Sequence, residues 1–187
     1  MAENEEMISK EEAAKSIEVT SKRLGLLHLC FARTLVDELG EEKGKKLILK
    51  AIKDYGKRVG EVVKADVLEQ GLEPTPENYR AARTPDLPAF GMHDKMERVM
   101  EGDQTIARAY GCAMAKIWKE YGEEELGRLY CYVDPAKYMA YNPNFKLVHI
   151  KAEPDGDACC ELTIKPTTEQ ERKDFLDEEK DWRYIDK

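Results

Sequence analysis

The chain has no apolar run approaching the roughly 18 to 20 residues that cross a bilayer. Its opening residues, MAENEEMISKEEAAK, are acidic where a secretory leader is basic and then apolar. Neither a membrane partner nor export is therefore expected, and the reading points to the cytoplasm. A basic excess is missing too: 30 Lys and Arg stand against 38 Asp and Glu, a formal charge of −8 with the signs interspersed. A nucleic-acid footprint needs a basic face that displaces condensed counterions, so nucleic acid is not an expected partner. Cysteine is sparse and odd in number, five in all. Without an export signal these read as free thiols rather than a disulfide framework. Cys159 and Cys160 are adjacent, so a bridge between them would strain the peptide, and on a strand they point to opposite faces. Histidine is scarcer, with three. His93 and Glu97 have i, i+4 spacing but lack the rest of a zinc signature. No metal is expected, and the sequence names no cofactor.

What is present suits one globular domain: 187 residues, 42% hydrophobic and 36% charged, enough to bury a full core. Ser9 with Glu12 forms a capping-box pattern ahead of a helix that Gly40 closes. Leu24, Leu27, His28, Phe31 and Leu35 form its apolar stripe. A second helix over 41–70 places Ile48, Ile52, Tyr55, Val59 and Val62 at spacings of three and four, with Gly44, Gly56 and Gly60 permitting close helix contacts. The segment 71–91, with Pro74, Pro76, Pro85 and Pro88, is a loop holding a short helix through Asn78–Ala82, capped by Thr75, and then irregular from Pro85 to Gly91. A loop of this length suits a lid or pocket wall. Helix is predicted again over 94–102 and 103–121, the latter burying Ile106, Tyr110, Ala113, Met114, Ile117 and Tyr121.

Beyond Gly127 the period changes from 3.6 to 2. Leu129, Cys131 and Val133 alternate with Tyr130 and Tyr132 as a strand, and Asp134 caps a short helix. Phe145, Leu147 and His149 share a strand face; the turn 153–157 leads to a strand with Cys160, Leu162 and Ile164 on one side. Thr168 with Glu171 starts a final helix that runs into a tail. The expected fold is α+β. A mainly helical segment 1–125 packs on a small antiparallel sheet formed mainly by 127–165, and a C-terminal helix and tail occupy 167–187.

Reactive residue types concentrate in 121–166, which holds three of the five cysteines and one of the three histidines. Three spaced elements stand out: Cys131 with Asp134 three residues on; Tyr141, Asn142 and Pro143; and Gly156 and Asp157 followed by Cys160. Together they resemble the L-2-amino-thiazoline-4-carboxylic acid hydrolase family over roughly Leu47 to Pro166. The resemblance implies hydrolytic opening of a cyclic amidine-like ring bearing a carboxylate, with a carbamoyl-cysteine type product and a small molecule as partner. A weaker likeness, to the ligand-binding α/β domains of the vinyl-reductase and haem-nitric-oxide-binding group, implies instead a non-catalytic sensor for a hydrophobic, metal-containing or tetrapyrrole ligand.

Ring opening needs a nucleophile, an acid–base group, a donor for the departing nitrogen and a cation for the carboxylate. Cys160 is the expected nucleophile or polar anchor and His149 the acid–base group. Asp134 is the expected water-activating or His-orienting carboxylate, with Asp157 as a second carboxylate of that kind. Cys131, Tyr141, Asn142 and His28 are the expected ligand contacts. Lys146, Lys151 and Arg128 are the cations near in sequence. Each has a structural alternative: buried small hydrophobes for the cysteines, cap and turn roles for the aspartates, a helix end for Tyr141 and Asn142, and a core hydrogen bond for His28. Self-association is left open.

Overall fold

The computed structural model describes residues 8–83 and 87–187; the acidic opening residues 1–7 and Pro85 of the loop lie outside them. Ser9 Oγ accepts from the Glu12 N–H at 3.1 Å, and the Glu12 carboxylate accepts from the Ser9 N–H at 3.0 Å. This capping box starts α1, Lys10–Leu39. Gly40 then takes φ 80°, a conformation that a Cβ resists, and α2, Glu41–Glu69, begins at once. The two long helices fold back on one another, so that Leu29, Ala32 and Val36 meet Ile48, Leu49 and Ile52. A 3-10 turn at Asn78–Ala81 and a short kinked helix α3, Ala89–Met92, carry the Pro-rich connection.

The first departure from the predicted elements follows. Residues 94–110 are a β-hairpin, not helix: β1, Lys95–Glu101, pairs antiparallel with β2, Gln104–Tyr110. Glu101 faces Gln104 across a two-residue loop, and Gly102 there has φ 60°. Glycine at the first central position is what a type II′ turn requires. Helix resumes at α4, Ala113–Glu120. The predicted stripe from Ile106 to Ile117 thus joined residues of a strand to residues of a helix.

The second departure lies at 129–133, which is helical rather than a strand. A short α5, Glu124–Arg128, passes through a 3-10 turn at Leu129–Tyr132 into α6, Val133–Tyr141. Leu, Tyr, Cys, Tyr and Val are all apolar, so their order carries no period; the segment is buried as a helix under α2. Cys131 is therefore not strand-borne, and Asp134 sits inside the first turn of α6 rather than capping it.

The predicted C-terminal hairpin is present. β3, Phe145–Lys151, pairs with β4, Cys160–Pro166, with Leu147 opposite Ile164 and His149 opposite Leu162. A 3-10 turn at Glu153–Asp155 and Gly156, with φ 95°, link them. β4 also pairs with β2, giving a four-stranded antiparallel sheet in the order β1-β2-β4-β3. The fold is α+β with helices N-terminal, as expected, but two of the four strands come from 95–110 rather than from 127–165. A Thr168–Glu171 capping box starts α7, Glu169–Leu176.

Close approaches decide which helix faces are buried. A Cβ on Gly56 would stand 2.5 Å from Ala136 Cβ, and one on Gly60 2.1 Å from the Lys137 carbonyl oxygen. These glycines let α6 lie directly on α2, as their spacing suggested. In α1 the buried face is Ser21, Gly25, Leu29, Ala32 and Val36, while Leu27 and Phe31 of the predicted stripe are 53% and 65% exposed. A Cβ at Gly25 would meet Ile117 at 3.0 Å, so α4 takes the face with small residues. Among the described residues, no helix is long and apolar enough to cross a membrane.

Candidate functional site

A cavity of about 700 Å³ lies between α2 and α6 on one side and the sheet on the other. α6 contributes Asp134 and Lys137, β3 contributes Leu147 and His149, and β4 contributes Cys160, Leu162 and Ile164. Strand alternation explains the sheet's share, since Leu147 and His149 face the same way, as do Cys160, Leu162 and Ile164. Cys131 enters from the 3-10 turn before α6, and Cys112 from the cap position just before α4. Three thiols that are far apart in sequence thus open on one space.

His149 is the most constrained polar group in it. Its Nδ1 lies 3.1 Å from Asp186 Oδ1, and its backbone N–H donates to that same oxygen at 2.8 Å. Its Nε2 lies 3.5 Å from Asp134 Oδ2, and Asp134 Oδ1 is 2.8 Å from Lys137 Nζ. Arg128 Nη2 donates to Asp186 Oδ2 at 2.7 Å. Burial alone would raise the Asp186 pKa, but the bonds from His149 and the charge of Arg128 outweigh it and hold the carboxyl below its ordinary value. An Asp–His–Asp series therefore runs from the interior to the cavity wall.

The thiols are the opposite case. Burial raises the Cys131 thiol well above its ordinary pKa and pushes Cys160 up to about 12; Cys112 is raised for the same reason. The Glu153 N–H donates to Cys160 Sγ at 3.4 Å, which offsets only part of the lost hydration. All three are neutral thiols near pH 7, and a neutral thiol is a weak nucleophile. Glu153, which sequence reasoning did not single out, accepts from the Gly111 and Cys112 N–H groups at 2.6 and 2.9 Å. It fixes the start of α4 against the β3–β4 connection and so brings Cys112 towards Cys160.

Of the other predicted residues, Tyr141, Asn142 and His28 do not line this cavity. Tyr141 Oη donates to the Thr75 carbonyl at 3.1 Å and Asn142 Nδ2 to that of Pro74 at 2.8 Å; together they tie the Pro-rich segment to the end of α6. His28 Nε2 sits 3.0 Å from the Leu126 carbonyl and packs edge-on to Tyr130, and burial lowers its pKa. That is the core-histidine arrangement. Asp157 accepts from the Ala152 N–H at 3.0 Å as a turn residue. The cations predicted for a carboxylate are committed elsewhere: Lys146 to Glu171, Lys151 to Glu161, and Arg128 to Asp155 and Asp186. Those lining the cavity are Lys137, Arg80 and Arg98. His93 also lines it, with a buried Nδ1 lacking a hydrogen-bond partner among the described residues. It precedes β1 rather than lying on a helix, so its spacing to Glu97 does not place the two on a shared helix face.

A family model described as L-2-amino-thiazoline-4-carboxylic acid hydrolase matches residues 5–164. The chain belongs to this family. The thiazoline-carboxylate hydrolase match contains Cys112, Cys131, Asp134, His149 and Cys160, whereas Asp186 lies beyond the matched residues. Among solved structures, a trafficking protein particle complex subunit 3 from Naegleria fowleri, covalently bound to palmitic acid, is similar at 11% identity with a TM-score of 0.48. The similarity covers 80% of this chain and 96% of that one. No curated protein matches this thiazoline-carboxylate hydrolase family member.

Proposed function

We propose that this chain hydrolyses a small cyclic amidine carboxylate of the L-2-amino-thiazoline-4-carboxylate type. The observation that carries the reading is the placement of His149, whose Nε2 lies on the cavity side beside Asp134 while its other ring nitrogen is held from behind. Water held between Nε2 and Asp134 adds to the C=N carbon, its proton passing to His149. His149 gives that proton to the ring nitrogen; it then takes the proton of the new hydroxyl and passes it to the same nitrogen as the ring C–N bond breaks, leaving a carbonyl and a free amine in a carbamoyl-cysteine type product. Cys160 is a neutral thiol here and serves as a polar anchor better than as a resting nucleophile. Lys137, Arg80 or Arg98 supplies positive charge for the carboxylate.

Purified protein incubated with the thiazoline carboxylate should yield a species heavier by one water in the mass spectrum. Folded protein giving no product above the buffer rate removes the activity. A second reading, a non-catalytic binding domain, is favoured by the cavity's size. About 700 Å³ with Met92, Met96, Met114, Leu147 and Leu162 in its wall falls in the range that holds drug-sized ligands. A chromophore or stoichiometric metal in the protein as isolated would support that alternative.

A further inference from the structure

We infer that the C-terminal tail completes the site: Asp186, delivered by residues 177–187, is a positioning residue that orients His149 for proton transfer. This rests on the hydrolytic reading above. β3 is an edge strand, so the backbone N–H groups on its open side need partners from elsewhere. The tail provides one. Asp186 Oδ1 takes the His149 backbone N–H at 2.8 Å and stands 3.1 Å from the ring Nδ1 of the same residue. One oxygen thereby ties the backbone of His149 to its ring and fixes the ring's direction.

The protonation pattern follows from the partners. Asp186 is ionised at neutral pH, held so by His149 and Arg128, and an ionised carboxylate only accepts hydrogen bonds. The proton of a neutral His149 ring therefore sits on Nδ1. Nε2 is left with its lone pair on the cavity side, 3.5 Å from Asp134, as a general base requires. The charged groups around the ring are Asp186 and Asp134, with Arg128 and Lys137 behind them.

The tail is docked firmly enough to do this. Trp182 is buried against Phe175 and Tyr132, and Ile185 is fully buried. The buried Lys146 Nζ donates to the Ile185 carbonyl at 2.7 Å and to the Lys187 carbonyl at 3.3 Å. The family match ends at residue 164, so this carboxylate is supplied by a part of the chain that the family match does not cover.

The test compares full-length wild type with Asp186→Asn, Asp186→Glu and Arg183→Ala, whose guanidinium pairs with the exposed Asp181. Two-bond ¹H–¹⁵N correlation spectra, with His149 assigned by its loss in His149→Gln, report the tautomer under conditions where the ring is neutral. Wild type should show the Nδ1–H tautomer alone. Asp186→Asn should populate Nε2–H, because an amide can donate to Nδ1, and should lower kcat for thiazoline-carboxylate ring opening by about 100-fold or more with KM changed less than about threefold. Asp186→Glu should restore part of both, and Arg183→Ala should match wild type. A folded Asp186→Asn protein with the wild-type tautomer and kcat overturns the inference. Should wild type fail to open the thiazoline, the hydrolytic reading falls, and the tautomer comparison alone decides whether Asp186 positions His149.

Discussion

Replacing Gly60 with alanine sets two well-defined effects against each other. In an exposed helix the change is favourable by about 1 kcal/mol, because glycine loses more backbone freedom on folding. Here the new methyl would stand 2.1 Å from the Lys137 carbonyl oxygen and 2.9 Å from Ala140 Cβ. The obstacle is backbone of α6, so α6 as a whole must retreat by roughly 1 Å to restore ordinary contact, and forced overpacking of this kind costs about 1 to 3 kcal/mol. Because the first of these contacts is so short, the upper part of that range applies. Gly60→Ala should therefore lower the unfolding free energy by about 1 to 2 kcal/mol net. The displacement also has a functional consequence, since Asp134 and Lys137 ride on α6 while His149 stays on β3. Urea titration followed by circular dichroism reads the effect as a lower midpoint at unchanged slope, with the exposed Glu61→Ala as a near-neutral control. A Gly60→Ala protein more stable than wild type would show that propensity outweighs the contact and refute the packing argument.

The Asp186 carboxyl has a lower pKa folded than unfolded. Its stabilisation is fully present above the unfolded value of about 3.9 and is lost as pH falls through the depressed folded value. Asp186→Asn should flatten the stability-versus-pH curve in that acid range, and an unchanged slope contradicts the pairing. Near neutral pH, iodoacetamide should modify the exposed Cys30 at least about tenfold faster than Cys131 or Cys160, whose burial keeps them protonated. Peptide mapping showing equal rates would refute that account of the cavity thiols. Trp182→Ala, which removes a buried ring packed on Phe175, should cost about 3 to 5 kcal/mol by urea denaturation. A loss below about 1 kcal/mol would mean that the tail is not docked as described.

The legible parts of the fold were those whose signals are local. The two capping boxes at Ser9 and Thr168 use residues three apart and mark α1 and α7. The turn 153–157 between alternating runs marked β3 and β4. The hairpin at 95–110 was misread because KMERVME carries charge on both faces of an edge strand, which hides its alternation. Ile106, Ala113 and Ile117 also happen to keep helical spacing across the end of β2. The Gly102-Asp103 pair, a two-residue hairpin signal, was the clue available. The stretch from Leu129 to Val133 offered no clue, since an unbroken apolar run is equally a buried strand or a buried helix.

The candidate site divides in the same way. Cys160, His149 and Asp134 were reached by residue type and strand parity, and the fold brings them to one cavity together with Cys131. Tyr141, Asn142 and His28 have side chains whose partners are carbonyls elsewhere in the fold, and only tertiary packing shows this. Asp186 and Glu153 were missed because each acts across a gap of about forty residues, and nothing near either residue announces its partner.

The central claim, that His149 moves the proton in a ring-opening hydrolysis, is tested most directly by steady-state turnover of L-2-amino-thiazoline-4-carboxylate with wild type and His149→Gln. Product is followed by mass, and both proteins are first shown to be folded. Wild type should turn over, and His149→Gln should lose about 10²- to 10⁴-fold in kcat. Equal rates in the two proteins, or no product from folded wild type, would contradict the account.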